Sequence, residues 1–354
     1  MAEKLRFGII GMGIGRSQGM AFVRNPRAEV TALCDLSTER MEALAKDLPT
    51  RPAFFTDYHE MLASDTLDAV FVGTPNQLHA PVARAAVANK KHVLVTKPLA
   101  DSLEPARLLV AEAEAAGVVN MMSLSTRFDA QVQYVGRAVA RGEFGTPYYA
   151  RARSVRRTGI PNWNTGFIAQ GGGAFRDVGV HMLDSVWWML GRPKPISVSG
   201  VAGAVFGPRG RGYWNYAVPP AEYVARFASD DYAGGFIRFE GNIGLQIESF
   251  WASHQAEESA FEIFGDEAGA KMTMGGPAPI TIYRTLDGAP NDNVVKMPDG
   301  IPNAWDNIAA HFTACVLDGV PCEAPLRDGL VIQQMLEAVL ASAESGREFR
   351  FDVE

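Results

Sequence analysis

Leu5-Arg-Phe-Gly-Ile-Ile10-Gly11-Met12-Gly13-Ile14-Gly15-Arg16 is the stretch that decides the fold. A short apolar run reads as a buried strand, three glycines open the backbone, and a helical stretch follows to about Asn25. A strand, a glycine turn and a helix leave several N–H groups at a helix N-terminus, where a pyrophosphate is stabilised. The usual spacing of such a turn would place its third glycine at position 16, where Arg16 stands. The simplest reading is a loop one residue short, with Gly15 in that role. A glycine turn alone is also compatible with a tight connection that binds nothing.

The following residues supply context. Glu29–Cys34 reads as a second strand and ends in Asp35, 24 residues after Gly11. An acid at that spacing accepts the ribose hydroxyls of adenosine and repels a 2′-phosphate, which favours NAD over NADP. The alternation continues with helix 37–47, a short strand at Phe54-Phe55, helix 58–63, strand Leu67–Val72, helix 80–89, strand His92–Thr96, helix 102–116 and strand Val118–Met122. Leu67-Asp-Ala-Val-Phe-Val72 is nearly all apolar, as a parallel strand covered on both faces must be. Six strands with intervening helices predict a doubly wound Rossmann sheet whose ligand crevice lies at the carboxyl ends of the strands. Thr74-Pro75-Asn76, with His79 beyond it, and Lys97-Pro98 fall at those ends. Asn and Pro also suit ordinary helix starts, whereas Lys97 places a cation at the mouth of the crevice.

From about Thr126 the pattern changes, so the chain divides into a nucleotide-binding domain, 1–125, and a second domain, 126–354, whose last helices can pack back on the first. The spacing predicts a helix over 128–142, a strand at Pro147–Val155, a helix over 175–190 and strands at 196–205, 222–229, 232–239, 243–250, 259–264 and 280–284. Helices near 303–318 and 326–345 close the chain. Several of these strands alternate as a half-buried antiparallel sheet does.

The chemistry of the second domain centres on Gly171-Gly-Gly-Ala-Phe-Arg-Asp177-Val-Gly-Val-His181-Met-Leu-Asp184. At 3.6 residues per turn Asp177, His181 and Asp184 fall on one stripe of an otherwise apolar helix. A histidine one turn from a carboxylate is a candidate general base with its orienting partner; a core histidine satisfied by a structural aspartate has the same signature. Before this helix, Arg156-Arg157-Thr-Gly-Ile-Pro-Asn-Trp163-Asn164 reads as a loop. An indole beside guanidinium and amide donors suits a polyhydroxylated ring, and a Trp-anchored packing loop is the alternative. The segment 207–216 reads as a mobile excursion, a candidate substrate lid.

With these motifs in order, the chain resembles the Gfo/Idh/MocA family of NAD(P)-dependent oxidoreductases. The resemblance runs nearly end to end and rests on the GMGIGR turn, Asp35, Thr74–His79, Thr96-Lys97-Pro98, Arg127-Phe-Asp, the Asp177-x-Gly-x-His181 helix, Glu262–Gly269 and Leu336–Arg347. It implies catalytic roles for Lys97, Asp177 and His181. For NAD it implies a cradle of Gly11, Met12, Gly13, Ile14, Gly15, Asp35, Thr74, Pro75, Asn76, His79, Lys97 and Pro98, with a Lys-Pro bond that is often cis. Arg127, Arg156, Arg157, Trp163 and Asn164 would join Asp177 and His181 in holding a sugar or cyclitol, Lys97 and His181 meeting at one carbon. Thr96 departs from the family's Glu-Lys-Pro signature, removing a charge beside the lysine. The second domain would be an α+β fold with an open, largely antiparallel mixed sheet whose outer face makes homodimers or homotetramers. The same architecture also hosts glycosidases that retain NAD and act by oxidation and elimination, and ligand-sensing regulators without chemistry.

Composition narrows the classes. A net charge of −7 gives no reason to expect nucleic acid or an anionic membrane as partner, and the basic clusters at Arg151–Arg157 are local. No window approaches about 18 uninterrupted apolar residues. Cys34, Cys315 and Cys322 show neither a disulfide framework nor a zinc spacing, so a reducing, cytoplasmic setting and no metal are expected.

Overall fold

The computed structural model describes residues 4–274 and 280–351. They form two compact units, residues 4–128 with 302–333, and residues 129–274 and 280–301 with 334–351.

In the first unit six strands, β1 (Leu5–Ile10), β2 (Ala28–Cys34), β3 (Ala53–Phe55), β4 (Ala69–Val72), β5 (His92–Thr96) and β6 (Asn120–Ser123), form one parallel sheet in the order β3-β2-β1-β4-β5-β6. The order reverses between β1 and β4, the topological switch point where open α/β sheets bind ligands. Gly11 follows β1 and Gly73 follows β4, so both loops of interest open there. Every residue of β4 is buried, which is why that strand reads as an unbroken apolar run. The segment 302–333 belongs to this unit: Asn303 caps the Ala304–Asp318 helix through Trp305 N and Asp306 N, each at 3.0 Å. On that helix Phe312 meets the stacked rings of Phe7 and Phe22 edge-on.

The second unit holds a nine-stranded sheet made of β7 (Pro147–Val155), β8 (Pro195–Gly203), β9 (Tyr232–Phe239), β10 (Gly244–Phe250), β11 (Glu258–Gly265), β12 (Ala268–Thr273), β13 (Ile280–Leu286), β14 (Ala289–Val295) and β15 (Phe349–Arg350). Its order is β14-β13-β12-β11-β7-β10-β9-β8-β15, with β7 and β10 parallel and the other pairs antiparallel. Along β7 the alternate residues Ala150 and Ala152 are buried, while Arg151 and Arg153 face the other way and pair with Glu262 and Glu258, each at 3.1 Å. The α/β architecture with a mixed second sheet is therefore as expected.

Two expectations for local structure are corrected. Residues 222–229 form no strand. Pro220 caps a short helix, Ala221–Ala225, and Tyr223 and Phe227, four apart, pack into one apolar cluster as helical spacing allows. The stretch expected as one regular helix from 175 begins as a π-helix, Phe175–Gly179, and becomes α-helical at Val180–Met189. The 3.6-residue stripe through Asp177 and His181 is thus broken by a wider turn between them. Among the described residues no helix is long and apolar enough to cross a membrane.

Candidate active site

The glycine turn fits a dinucleotide in three respects. Gly11 sits at φ +90°, and a β-carbon there would lie 2.6 Å from the Gly73 carbonyl oxygen, so only glycine lets the ends of β1 and β4 approach. A β-carbon on Gly13 would meet nothing within 4 Å, which leaves room beside the turn for a bulky anion. One on Gly15 would lie 2.8 Å from Ile9 Cγ2, so this glycine sets the packing of the Ile14–Arg24 helix on β1. That helix has no side-chain cap and no acid in its first turn, which leaves its N–H groups and dipole to a negative ligand. Asp35 flanks the turn: Oδ2 accepts Met12 N at 2.7 Å and Oδ1 accepts Ser37 N at 2.9 Å. A carboxylate has about four lone-pair positions, so acceptor capacity remains for ribose hydroxyls.

Thr74, Pro75 and Asn76 leave β4, with Pro75 as the cap of the Asn76–Ala88 helix. Thr74 Oγ1 is buried and has no hydrogen-bond partner among the described residues, as a hydroxyl meant for a ligand would be. The Lys97–Pro98 bond is cis, and Lys97 is half-buried. His79 joins the two loops: its ring nitrogens lie 2.6 Å from the Pro98 carbonyl oxygen and 2.7 Å from that of Thr74. The ring is 1% exposed, and burial holds it below the ordinary histidine pKa against the pull of both carbonyls. His79 was expected at the cofactor; in the structure its ring bridges the two loops, with a single N–H of the neutral imidazole donating to one of the two carbonyls.

In the second unit Asp177 and His181 are half-buried on the π-to-α helix. Trp251, wholly buried, donates its indole Nε1 to Asp177 Oδ2 at 3.2 Å. Asp184 is buried deeper on the same helix. The helix start is held by Asp230, whose carboxylate accepts Phe175 N at 2.9 Å and whose carbonyl accepts Ala174 N at 3.0 Å. Burial pushes the Asp230 carboxyl up to about 6.

The loop before this helix gathers an aromatic and cationic surface. Trp163, 58% exposed, meets Trp214 edge-on at 5.7 Å, and the Arg156 guanidinium lies over Trp214 at 5.6 Å. Asn164 caps a short turn through Gly166 N at 2.8 Å. Arg157 donates its backbone N–H to Glu257 at 3.1 Å. The Phe167 carbonyl accepts Gly173 N at 2.8 Å, tying this loop to the start of the helix that bears Asp177. The excursion 207–216 was expected as mobile, yet it is anchored. Tyr213 is wholly buried in the cluster that contains Trp251, and the Asp231 carboxylate collects the N–H groups of Val205, Phe206 and Gly207 at its root.

Arg127 does not meet its expectation. It is 0% exposed in the first unit, where Nη1 lies 2.6 Å from Asp328 and 2.5 Å from the Glu323 carbonyl oxygen. A guanidinium so enclosed fixes the 323–328 segment and is not presented to a substrate. The sequence offers Trp251, an aromatic just after a strand, only as a weaker candidate with core packing as the alternative; Asp230 and Asp231 are the residues missed by sequence reasoning, and they carried no signal.

Comparison with known proteins agrees with this geometry. Residues 5–124 match the family model described as the oxidoreductase family, NAD-binding Rossmann fold, and residues 132–271 match the GFO/IDH/MocA C-terminal domain. The chain is 29% identical to the D-glucoside 3-dehydrogenase of Escherichia coli (strain K12), over 98% of this chain and 97% of that protein. It is 25% identical to the scyllo-inositol 2-dehydrogenase (NAD(+)) of Bacillus subtilis (strain 168), over 98% and 95%. Among solved structures, an oxidoreductase domain protein from Kribbella flavida shares the fold with a TM-score of 0.87 at 22% identity, over 99% of this chain and 100% of that one. A levoglucosan dehydrogenase in complex with NADH and levoglucosan shares it with a TM-score of 0.85 at 18% identity, over 98% and 99%.

Proposed function

Because the chain belongs to the Gfo/Idh/MocA family of NAD-binding oxidoreductases, we propose that it moves a hydride between NAD and a secondary alcohol or ketone of a sugar, cyclitol or sugar derivative. The observation that carries the reading is that one chain holds both a glycine turn with space at Gly13 beside Asp35 and a half-buried Asp177/His181 helix tied to an aromatic–arginine loop. NAD, when bound, supplies the hydride acceptor at its nicotinamide ring.

The remaining work falls to side chains. Neutral His181 accepts the hydroxyl proton of the substrate at a ring nitrogen, and Asp177 orients the imidazole and favours its charged form. Trp251 fixes the Asp177 carboxylate by occupying one lone pair of Oδ2. Lys97 donates to the reacting oxygen and favours the developing alkoxide. Trp163 and Trp214 offer apolar faces to a sugar ring, while Arg156 and Asn164 supply donors for its hydroxyls. Self-association through the outer face of the nine-stranded sheet, with its Arg151–Glu262 and Arg153–Glu258 pairs, is part of the same proposal.

A panel of polyols, aldoses and glycosides incubated with NAD or NADP, followed by absorbance of the reduced cofactor, tests the reading. Net NADH formation with at least one polyhydroxylated substrate is expected. Sugar release without accumulated NADH would instead indicate oxidation and elimination on a retained cofactor, and a clear preference for NADP would remove Asp35 as the selecting residue.

A further inference from the structure

The first unit contains a second group of chemistry-bearing side chains that the proposed reaction does not use. His311 and Cys315 stand four residues apart on the Ala304–Asp318 helix and so share a face. Gly319, at φ +68°, ends that helix, and the chain turns back to bring Cys322 alongside. One ligand atom from each of His311, Cys315 and Cys322 lies within 4.8 Å of the other two.

The spacing favours an ion. His311 Nε2 and Cys315 Sγ are 3.4 Å apart. In a tetrahedral zinc site, with Zn–S about 2.3 Å and Zn–N about 2.0–2.1 Å, the nitrogen–sulfur edge is about 3.5 Å and the sulfur–sulfur edge about 3.8 Å. The Glu323 N–H donates to His311 Nε2 at 2.9 Å, so that nitrogen carries the lone pair and Nδ1 the proton. This neutral tautomer is the one that ligates through Nε2, and an ion there takes the place of the Glu323 N–H, which has to swing away from the ring as the metal binds. The ring packs against Phe128 at 5.4 Å. Cys315 is buried, whereas His311 and Cys322 are half-buried and give an ion its way in.

We propose that His311, Cys315 and Cys322 form a three-ligand site for a thiophilic d¹⁰ cation, Zn²⁺, with water in the fourth position. Binding forms one Zn–N and two Zn–S bonds and releases the two thiol protons to solvent, with no change of oxidation state. The site would link the end of the helix to the loop in which the Glu323 carbonyl receives Arg127.

The test is a Co²⁺ titration of the full-length, reduced, metal-stripped protein. A thiolate-to-cobalt charge-transfer band and the visible bands of a tetrahedral ion, saturating at one Co²⁺ per chain and displaced by Zn²⁺, are expected. Cys322→Ser should weaken binding by more than roughly tenfold, the loss that even an outer-shell change causes. X-ray absorption at the zinc edge of the wild-type protein, which needs no variant, should find two sulfur neighbours. Absence of the charge-transfer band at saturating Co²⁺, a band unchanged in Cys322→Ser, or a zinc shell without two sulfurs would each overturn the site.

Discussion

The indole of Trp251 donates to the Asp177 carboxylate at 3.2 Å, although 74 residues separate them in the chain. Asp177 lies in the π-helical turn and Trp251 just beyond β10, so the bond joins the helix to the sheet. It also holds one carboxylate oxygen in a fixed direction. If Asp177 orients His181, Trp251 is a positioning residue at one remove from the proton.

Trp251→Phe keeps an aromatic ring in the cluster and removes the donor together with part of the buried ring volume. A hydrogen bond to a charged group contributes about 1.5–3 kcal/mol, so kcat should fall roughly tenfold or more, with KM little changed. Steady-state kinetics at several pH values measure this. A variant with altered KM and normal kcat would show that the indole serves packing alone.

Lys97→Met and His181→Ala each remove a group assigned to the reacting oxygen or its proton. Turnover should drop by about 10²–10⁴-fold in His181→Ala, the usual contribution of a positioned acid–base. NAD binding, followed by quenching of tryptophan fluorescence, should persist in His181→Ala, whose residue lies outside the cofactor cradle, and survive in weakened form in Lys97→Met, which loses one of the cradle's contacts. Unchanged turnover in either variant would remove that residue from the mechanism.

Gly13 and Gly15 make opposite predictions. At Gly13 a methyl group enters open space, so Gly13→Ala should leave the melting temperature near wild type while weakening NAD binding. At Gly15 a methyl group meets Ile9 Cγ2 at 2.8 Å, and overpacking of this kind costs about 1–3 kcal/mol. Gly15→Ala should therefore lower the melting temperature with or without NAD. Calorimetry and cofactor titration on the two variants separate these effects.

These contrasts mark what the sequence makes legible. The parallel sheet is readable because strands buried on both faces, such as Ala69–Val72, must be apolar throughout. Strands of the second sheet have no such constraint: the edge strand Ala289–Val295 is mostly polar and exposed, and the inner strand Ala268–Thr273 buries only Ala268, Ala270 and Met272 at alternate positions, so neither stands out as a strand. The π-helical turn at Phe175–Gly179 has no period of its own to betray it. Asp177 and His181 are visible as a short-range pattern, but Trp251 and Asp230 reach the helix from more than 50 residues away. His311 escaped notice for a related reason. Cysteine spacing alone suggests no metal, and the third ligand is a histidine on the preceding turn of Cys315's helix.

Asp230 gives a pH dependence with a defined sign. Its carboxyl is raised from an ordinary 3.8 to about 6, chiefly by burial. The folded chain thus holds this proton more tightly than the unfolded chain. The contribution to stability is full below about pH 4 and is lost as pH rises through 6, a change of about 3 kcal/mol. Asp230→Asn keeps an acceptor for Phe175 N and cannot ionise. The stability difference in favour of the Asn variant should therefore grow by about that amount between pH 4 and pH 7, as read by urea unfolding. A constant difference across this range would mean that the carboxylate is not penalised by its surroundings.

The buried pair of Arg127 and Asp328 separates a structural from a substrate-binding arginine. Asp328→Ala leaves a guanidinium enclosed without its carboxylate, a change that costs about 3–5 kcal/mol. The double variant Arg127→Met/Asp328→Leu replaces both charges by apolar groups and should recover most of that loss, since a buried ion pair is close to neutral against a packed apolar pair. Urea unfolding of the singles Arg127→Met and Asp328→Leu and of the double closes the cycle. Kinetics of the double variant then decide the role. An arginine that only fixes the 323–328 segment leaves KM for the sugar within a few-fold of wild type. An arginine that holds substrate raises it steeply even where stability is restored.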